Sequence, residues 1–513
     1  MSGFFGAFLD PFFKYRPIYN WYDLHKPTNM EKKVRGIQIL LRRTFIVAFL
    51  IVCSPLSLAA GSGEMEVSFL DAWLEAQRNS NFLEAEGLNI ERAQLEHDAT
   101  RGLYFPRVDL NAAYIQLDGP VTFDALDLNP LSGFAENPIG ESLIELLGGP
   151  AAFKTDVSDE RFGRVGLSAI WPVYTGGRIT AVRQASQAQT EIAKESFDSQ
   201  RRVLFEEVVR IYFGVALAQE SLAIRQQEVK GLEHHLNNAT KLEEHGQIAK
   251  VERLSVAAAL DRAVVAQERA ERELGIAQLT LGKLLMQSAE LRPQDALFIN
   301  ETIPSEDEFS GRTLGNSPVL RELKARDSEA GALLKVQKGR FHPEVFVFAD
   351  YEVYKDDTIA FELIPDWQVG IGLKFTLVDN IGRSKSIEAA HKTKQAVAEL
   401  SQGAERALDL AARVAHRQAE QAISEYHGLN SSVELANENL RLREIAFNQG
   451  LSTSVDLVDA QLFLSVVHAE QSVAAYKFVA SLGRLLALTG EMDSFTDYQR
   501  LGNRRIVGSG VTQ

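Results

Sequence analysis

The chain has 513 residues, with 54 Lys and Arg against 69 Asp and Glu, and a formal net charge of −15. Residues 1–62 carry eight basic and three acidic side chains, a net of +5, so the remainder holds −20, which argues against nucleic acid and other polyanions as partners. The single cysteine, Cys53, excludes a disulfide framework. Beyond residue 62 no stretch approaches the roughly 18 apolar residues of a membrane-spanning helix.

At the N-terminus, residues 1–29 are rich in aromatics and precede Met30, so Met1 and Met30 both stand as starts. Lys32, Lys33, Arg35, Arg42 and Arg43 form a basic region, Phe45 to Cys53 an apolar run, and small residues follow to Ala59 and Ala60. This is the pattern of a secretory signal, too short and broken to span a membrane stably. Arg42-Arg43-Thr44-Phe45-Ile46 also fits a twin-arginine core, and Cys53 a lipidation site, although Val52 suits the latter poorly. Residues 1–61 are therefore read as an upstream extension and signal peptide.

The next segment, 62–290, reads as one structural unit. A helix is expected over 67–101. A strand follows, in which Val108, Leu110, Ala112 and Tyr114 alternate with Arg107, Asp109, Asn111 and Ala113. Residues 118–160 form a long loop rich in Pro, Gly, Asn and Asp, with a short helix at 141–147. In the second strand Val165, Leu167, Ala169 and Trp171 oppose Arg164, Gly166 and Ser168. From Gly177 to Leu242 there is no proline, and Val208, Val215, Leu222, Val229 and Leu236 recur every seven residues, as in coiled-coil packing. Gly246 marks a turn, and a helix runs over about 251–289. Residues 291–316 read as a linker around the waist of the molecule.

Residues 317–490 repeat the plan. They comprise a helix at 317–339, a strand at 345–351 that is apolar on both faces, a short loop at 355–365 and a strand at 367–377. In that last strand Trp367, Val369, Ile371, Leu373, Phe375 and Leu377 alternate with polar residues and glycine. A proline-free helix from Gly382 to Phe447 carries Ala412, Ala419, Tyr426, Val433 and Leu440, each 204 residues after its counterpart in the first copy. Gly450 marks the second turn and 454–489 the last helix. Residues 491–513 are expected to be a polar, disordered tail.

The chain is therefore duplicated: GLYFPRVDLNAAY at 102–114 against GRFHPEVFVFADY at 339–351, and GQIAKVERLSVAAAL at 246–260 against GLSTSVDLVDAQLFL at 450–464. Each copy supplies two half-dry strands and one helix of roughly 100 Å, too long to bury in a single globular core. Strands of about ten residues alternating apolar and polar fit an outer-membrane barrel, with Tyr114, Trp171, Tyr351 and Trp367 as interfacial aromatics. A soluble sandwich fits the strands equally, and a soluble periplasmic coiled-coil scaffold is the rival for the whole chain. The long helices favour the barrel reading. Four strands cannot close a barrel, so such a chain has to oligomerise, and a cyclic trimer brings twelve strands.

These residues resemble the TolC family of outer-membrane efflux and secretion channels over nearly all of 64–490. The strand-to-helix junction WPVYTGGR at 171–178, with Pro172, Gly176 and Gly177, looks like the family's turn. FTLVDNIGR at 375–383, with Gly382, is a departed second copy that lacks the proline and has one extra residue. Pro106 and Pro343 match the prolines that open each first strand, and NQGLSTSVDLVDAQL at 448–462 resembles the tip at the periplasmic end. The resemblance implies an α+β membrane protein. It would be a homotrimer with a twelve-stranded barrel in outer-membrane lipid, continued by a periplasmic helical tunnel. It further implies a periplasmic adaptor (membrane fusion) protein and an inner-membrane transporter of RND or ABC type as partners, passive export as the function, and no chemistry.

Asp456 and Asp459 lie three apart on one helix face, and in the family pattern such carboxylates line the periplasmic entrance, where charged rings select cations. Glu252 and Ser255 take their places in the first copy, and Arg253 beside Glu252 is expected to pair across helices. The glycines of both tips suit left-handed turns. Gly246 and Gln247 at one tip, and Gly450, Leu451 and Ser452 at the other, are the expected adaptor contacts. No cofactor is expected, nor a metal: there is no HExxH, no GxSxG and no phosphate loop, and adjacent His234 and His235 point about 100° apart on a helix.

Overall fold

A computed structural model describes residues 65–127, 133, 136–288, 290–378 and 382–504. The expected export signal, with Cys53, lies outside these residues. The chain opens with β1 (Met65–Val67), α1 (Phe69–Asn79) and α2 (Asn81–Ala99), then β2 (Arg107–Gln116), β3 (Val121–Asp124), α3 (Pro138–Leu146), β4 (Lys154–Ser158) and β5 (Arg161–Tyr174). The long α4 (Arg178–Glu244) and α5 (Lys250–Leu284) form the first hairpin. The middle segment holds β6 (Leu291–Pro293), β7 (Phe298–Ile299) and α6 (Glu306–Asn316). The second copy runs α7 (Pro318–Gly339), β8 (Glu344–Lys355), α8 (Ile359–Glu362), β9 (Trp367–Lys374), α9 (Arg383–Gly428), α10 (Asn430–Asn448) and α11 (Ser454–Thr489), before α12 (Phe495–Leu501) and β10 (Asn503–Arg504).

The strands of both copies join in one antiparallel sheet of order β2-β5-β8-β9, which leaves β2 and β9 as edges. Its register carries the sequence alternation across all four strands. Leu110 stands opposite Leu167, Leu167 opposite Tyr351, and Tyr351 opposite Trp367. That face is apolar and exposed: Leu110 is 68% exposed, Val369 64% and Ile371 77%. The other face is polar and bonded to itself. Asn111 donates to Ser168 at 2.9 Å, Gln368 to Asp350 at 2.8 Å, and Arg164 pairs with Glu352. The doubly apolar β8 has a local cause. Phe346 and Phe348 lie on the polar face above Gly372 and Gly370, where any side chain would strike their rings.

Three expectations are corrected. The first helix breaks at Ser80, whose extended backbone ends α1 and whose hydroxyl accepts from the Leu83 amide to start α2. The second long helix is interrupted at Leu429, whereas α4 runs 67 residues unbroken. The expected disordered tail is folded as far as residue 504: β10 pairs with β7, and Phe495 is fully buried. The reason is apolar. Phe495 enters a cluster with Phe69, Phe205, Phe213 and Phe298, its ring 4.5 Å from that of Phe69. β1 pairs in parallel with β6, and the Tyr212 hydroxyl lies 2.8 Å from both the Val67 carbonyl and the Asp295 carboxylate. Both ends of the described chain are thus tied to the segment between the copies. Phe495→Ala is expected to cost about 3–5 kcal/mol, read as an earlier unfolding transition in denaturant.

Candidate functional site: the strand–helix junction and the hairpin tips

Pro172 sits where the β5–β8 ladder shifts register, a place that tolerates a residue without an amide hydrogen. Beyond it Gly176 and Gly177 have φ of +65° and +78°, and Gly382 in the second copy +68°. At Gly176 a Cβ would lie 2.5 Å from the Gly339 carbonyl oxygen, so the junction closes only on glycine. The next residue in each copy is an arginine that ties strand to helix. Arg178 donates to the Thr175 carbonyl and pairs with Glu344 at 2.7 Å. Arg383 donates to the Thr376, Leu377 and Arg340 carbonyls and lies over the Phe341 ring. β9 ends at Lys374 rather than Leu377 because its partner β8 begins opposite it at Glu344, after Pro343, which has no amide hydrogen to offer the ladder.

At the far end of the helices the two tips share one turn. Gln247 donates to the Leu242 carbonyl at 2.8 Å and Leu451 to the Ala446 carbonyl at 2.8 Å, with Gly246 and Gly450 both at φ +71°. This bonding, six residues back to one, is a glycine-dependent helix end. A separate apolar cluster holds the tips together, with Leu232 and Ala239 from α4, Val256 and Ala259 from α5, Phe447 from α10 and Leu457 from α11. Leu451 is 78% exposed, Gln247 is exposed as well, and Ser452 is partly covered.

The carboxylates differ in their engagement. Asp456 closes a capping box: its carboxylate accepts from the Thr453 amide and hydroxyl and from Ser452, and the Thr453 hydroxyl accepts from the Asp456 amide. Bonds from Thr453, and Arg443 at 3.8 Å, hold its carboxyl below the usual range, so it is ionised. Glu252 reaches from the first hairpin to the second, accepting from the Ser454 amide at 2.8 Å and from the Ser454 hydroxyl. Both acids therefore occupy the positive N-terminus of α11. Asp459 is exposed, one turn further along α11. Arg253 does pair across helices, with Glu243 of α4 at 2.5 Å. Sequence reasoning missed Ser454, Arg443 and Glu243. The Thr-x-x-Asp spacing at 453–456 was the readable signal for the cap; nothing local pointed to the other contacts.

A model of the outer membrane efflux protein family matches residues 74–286 and 310–491. The chain belongs to that family. Its fold is accordingly that of a trimeric outer-membrane channel, a β-barrel continued by a long helical tunnel, and its place is the outer membrane. Solved structures agree on the fold. CusC shares 14% identity over 85% of this chain and 95% of its own, with a TM-score of 0.67. The outer-membrane channel OprN shares 16% over 82% and 89%, with a TM-score of 0.68. The open-state MtrE channel of Neisseria gonorrhoeae shares 18% over 82% and 88%, with a TM-score of 0.64. No curated protein matches the sequence. Among the described residues, no helix is long and apolar enough to cross a membrane, and no group of His, Cys, Asp or Glu is placed to hold a metal ion.

Above the tips, His235 of α4 is buried. Desolvation pushes its pKa down against the opposing pull of Glu444 and Gln461. The unfolded chain takes up this proton near pH 6.5, whereas the folded chain does so only at lower pH. The contribution of His235 to stability is therefore complete above about pH 6.5 and is lost as the pH falls below it. His235→Gln is expected to narrow the gap between melting midpoints at about pH 7.5 and pH 5.5, measured by circular dichroism in detergent.

Proposed function

We propose that the protein is a passive export duct, closed as a trimer, that performs no chemistry and hands cargo from a periplasmic adaptor and an inner-membrane pump of RND or ABC type to the exterior. One observation carries this reading: a four-stranded sheet with an apolar exposed face and two open edges passes through the glycine junctions directly into the long helices. An open edge in lipid leaves backbone groups unpaired at a cost of several kcal/mol each. Four strands from each of three chains make the twelve that close β2 of one copy onto β9 of the next.

In this reading Gly246, Gln247, Gly450, Leu451 and Ser452 meet the adaptor, and the acids behind them face the entrance. Asp456 and Glu252 are held in place by the N-terminus of α11, so their charge is fixed in position. Asp459 is the carboxylate that meets passing ions. Arg253 and Glu243 keep the first tip closed on itself.

Asp459→Asn disturbs no hydrogen bond among the described residues and is the cleaner test; Asp456→Asn also weakens the cap. In planar bilayers the first change is expected to lower the cation-to-anion permeability ratio, and the double change to lower it further. An unchanged ratio in both removes these residues from the pore. Cross-linking of the detergent-extracted protein is expected to stop at three copies, and recovery as a soluble periplasmic monomer would overturn the duct.

A further inference from the structure

In a closed barrel the apolar face of the sheet meets lipid, so its polar face lines the lumen. β8 lies inside the sheet of its own chain, between β5 and β9, whereas closure of the trimer engages only the edges β2 and β9. Side chains on the lumenal face of β8 therefore keep their strand neighbours in the trimer. Twelve strands about 4.8 Å apart and tilted by about 40° close at roughly 25 Å across, which leaves open space in front of them.

Two aromatic rings lie on this wall. Phe346 and Phe348 stand opposite Gly372 and Gly370, with ring centroids 6.3 Å apart. A Cβ at Gly370 would lie 2.5 Å from the tip of the Phe348 ring, so that ring lies across β9, along the wall. Glycine weakens a strand interior and marks a close approach; here it lets the rings lie flat instead of crossing the passage. The rings are only half-buried, so one face rests on glycine and the other is open to the lumen. Ile170 and Pro172 of β5, opposite Phe348 and Phe346, extend the apolar patch.

The carboxylates of this face are neutralised, with one exception. Asp109 pairs with Arg107, Glu344 with Arg178 and Glu352 with Arg164. Asp350 stands two residues beyond Phe348 on the same face. It accepts from the Gln368 side-chain amide at 2.8 Å and has no basic partner among the described residues. A neutral amide orients the carboxylate without cancelling its charge. Lys374, the base of β9 on this face, is six residues from Gln368, about 20 Å along the strand. Ring faces attract a cation, a neighbouring carboxylate adds to that attraction, and the apolar patch receives apolar substituents. An anion would be repelled by Asp350, and a hydrated inorganic cation has no apolar group to place on the rings.

We propose that Phe346, Phe348 and Asp350 form a wall site, three per trimer, for an organic cation with apolar substituents, of the quaternary ammonium type. Its lumenal position rests on the duct reading; its chemistry rests on the three side chains.

The test is equilibrium dialysis of the full-length trimer in neutral detergent against labelled phenyltrimethylammonium, with empty micelles as the blank and benzenesulfonate as the anionic counterpart. The cation is expected to bind saturably and the anion not to bind. Phe348→Leu keeps apolar volume but removes the ring face, and Asp350→Asn keeps the bond from Gln368 but removes the charge. Each is expected to weaken binding about tenfold, with circular dichroism and trimer mass unchanged. Asp456→Asn with Asp459→Asn is expected to leave binding as it is. The proposal is overturned if the wild type binds both probes alike or if neither wall substitution weakens the cation. It is equally overturned if only the tip substitutions do so, which places the cation at the entrance. Ion conduction by the same preparation in planar bilayers tests the duct separately. Conduction without cation binding sinks the site and leaves the duct, whereas binding without conduction supports the site and sinks the duct.

Discussion

A β-sheet in lipid has to pair the backbone of both its edges, and this chain brings only four strands. The rest of the architecture follows from that constraint. The sheet presents one continuous apolar face, so it belongs in a membrane, and its open edges at β2 and β9 make a single copy incomplete. Duplication lightens the problem. The second strand of one copy pairs with the first strand of the other, so each chain arrives with a preformed third of the wall rather than with separate hairpins.

The long helices meet a related constraint by other means. α4 packs along α2, α5, α7 and α11, so one uninterrupted helix is matched by shorter ones placed end to end. The joins between those shorter helices fall at the level of the aromatic cluster, where Phe69, Phe205, Phe213, Phe298 and Phe495 fill the space. The segment between the copies pairs there with both the first and the last described strand, so this waist ties the two ends of the described chain to its middle. At the sheet end, glycines allow the strand-to-helix turn to press on the second copy. At the tips the same residue type allows two helices to reverse within a few residues.

The tips show how a symmetric plan becomes structurally asymmetric. Both turns have the same bonds and the same left-handed glycine. The second tip adds a capping box, and the first lends its Glu252 to the second. The charge of the site therefore gathers on α11, contributed by both copies but ordered by one.

How much of this was legible in the sequence depends on the range of the interaction. Strand alternation, the seven-residue seam, the glycine turns and the duplication are written within single elements or at a fixed offset, and residues such as Leu167, Val215 and Gly450 stand where those patterns place them. What only the tertiary structure decided are contacts between elements distant in the chain. These include Glu252 on the Ser454 amide, Arg253 on Glu243, Phe346 and Phe348 over two glycines, and Phe495 drawn into the waist. A polar tail reads as disordered until the aromatic pocket that receives one of its rings is assembled, because burial is a property of the neighbours and not of the residue itself.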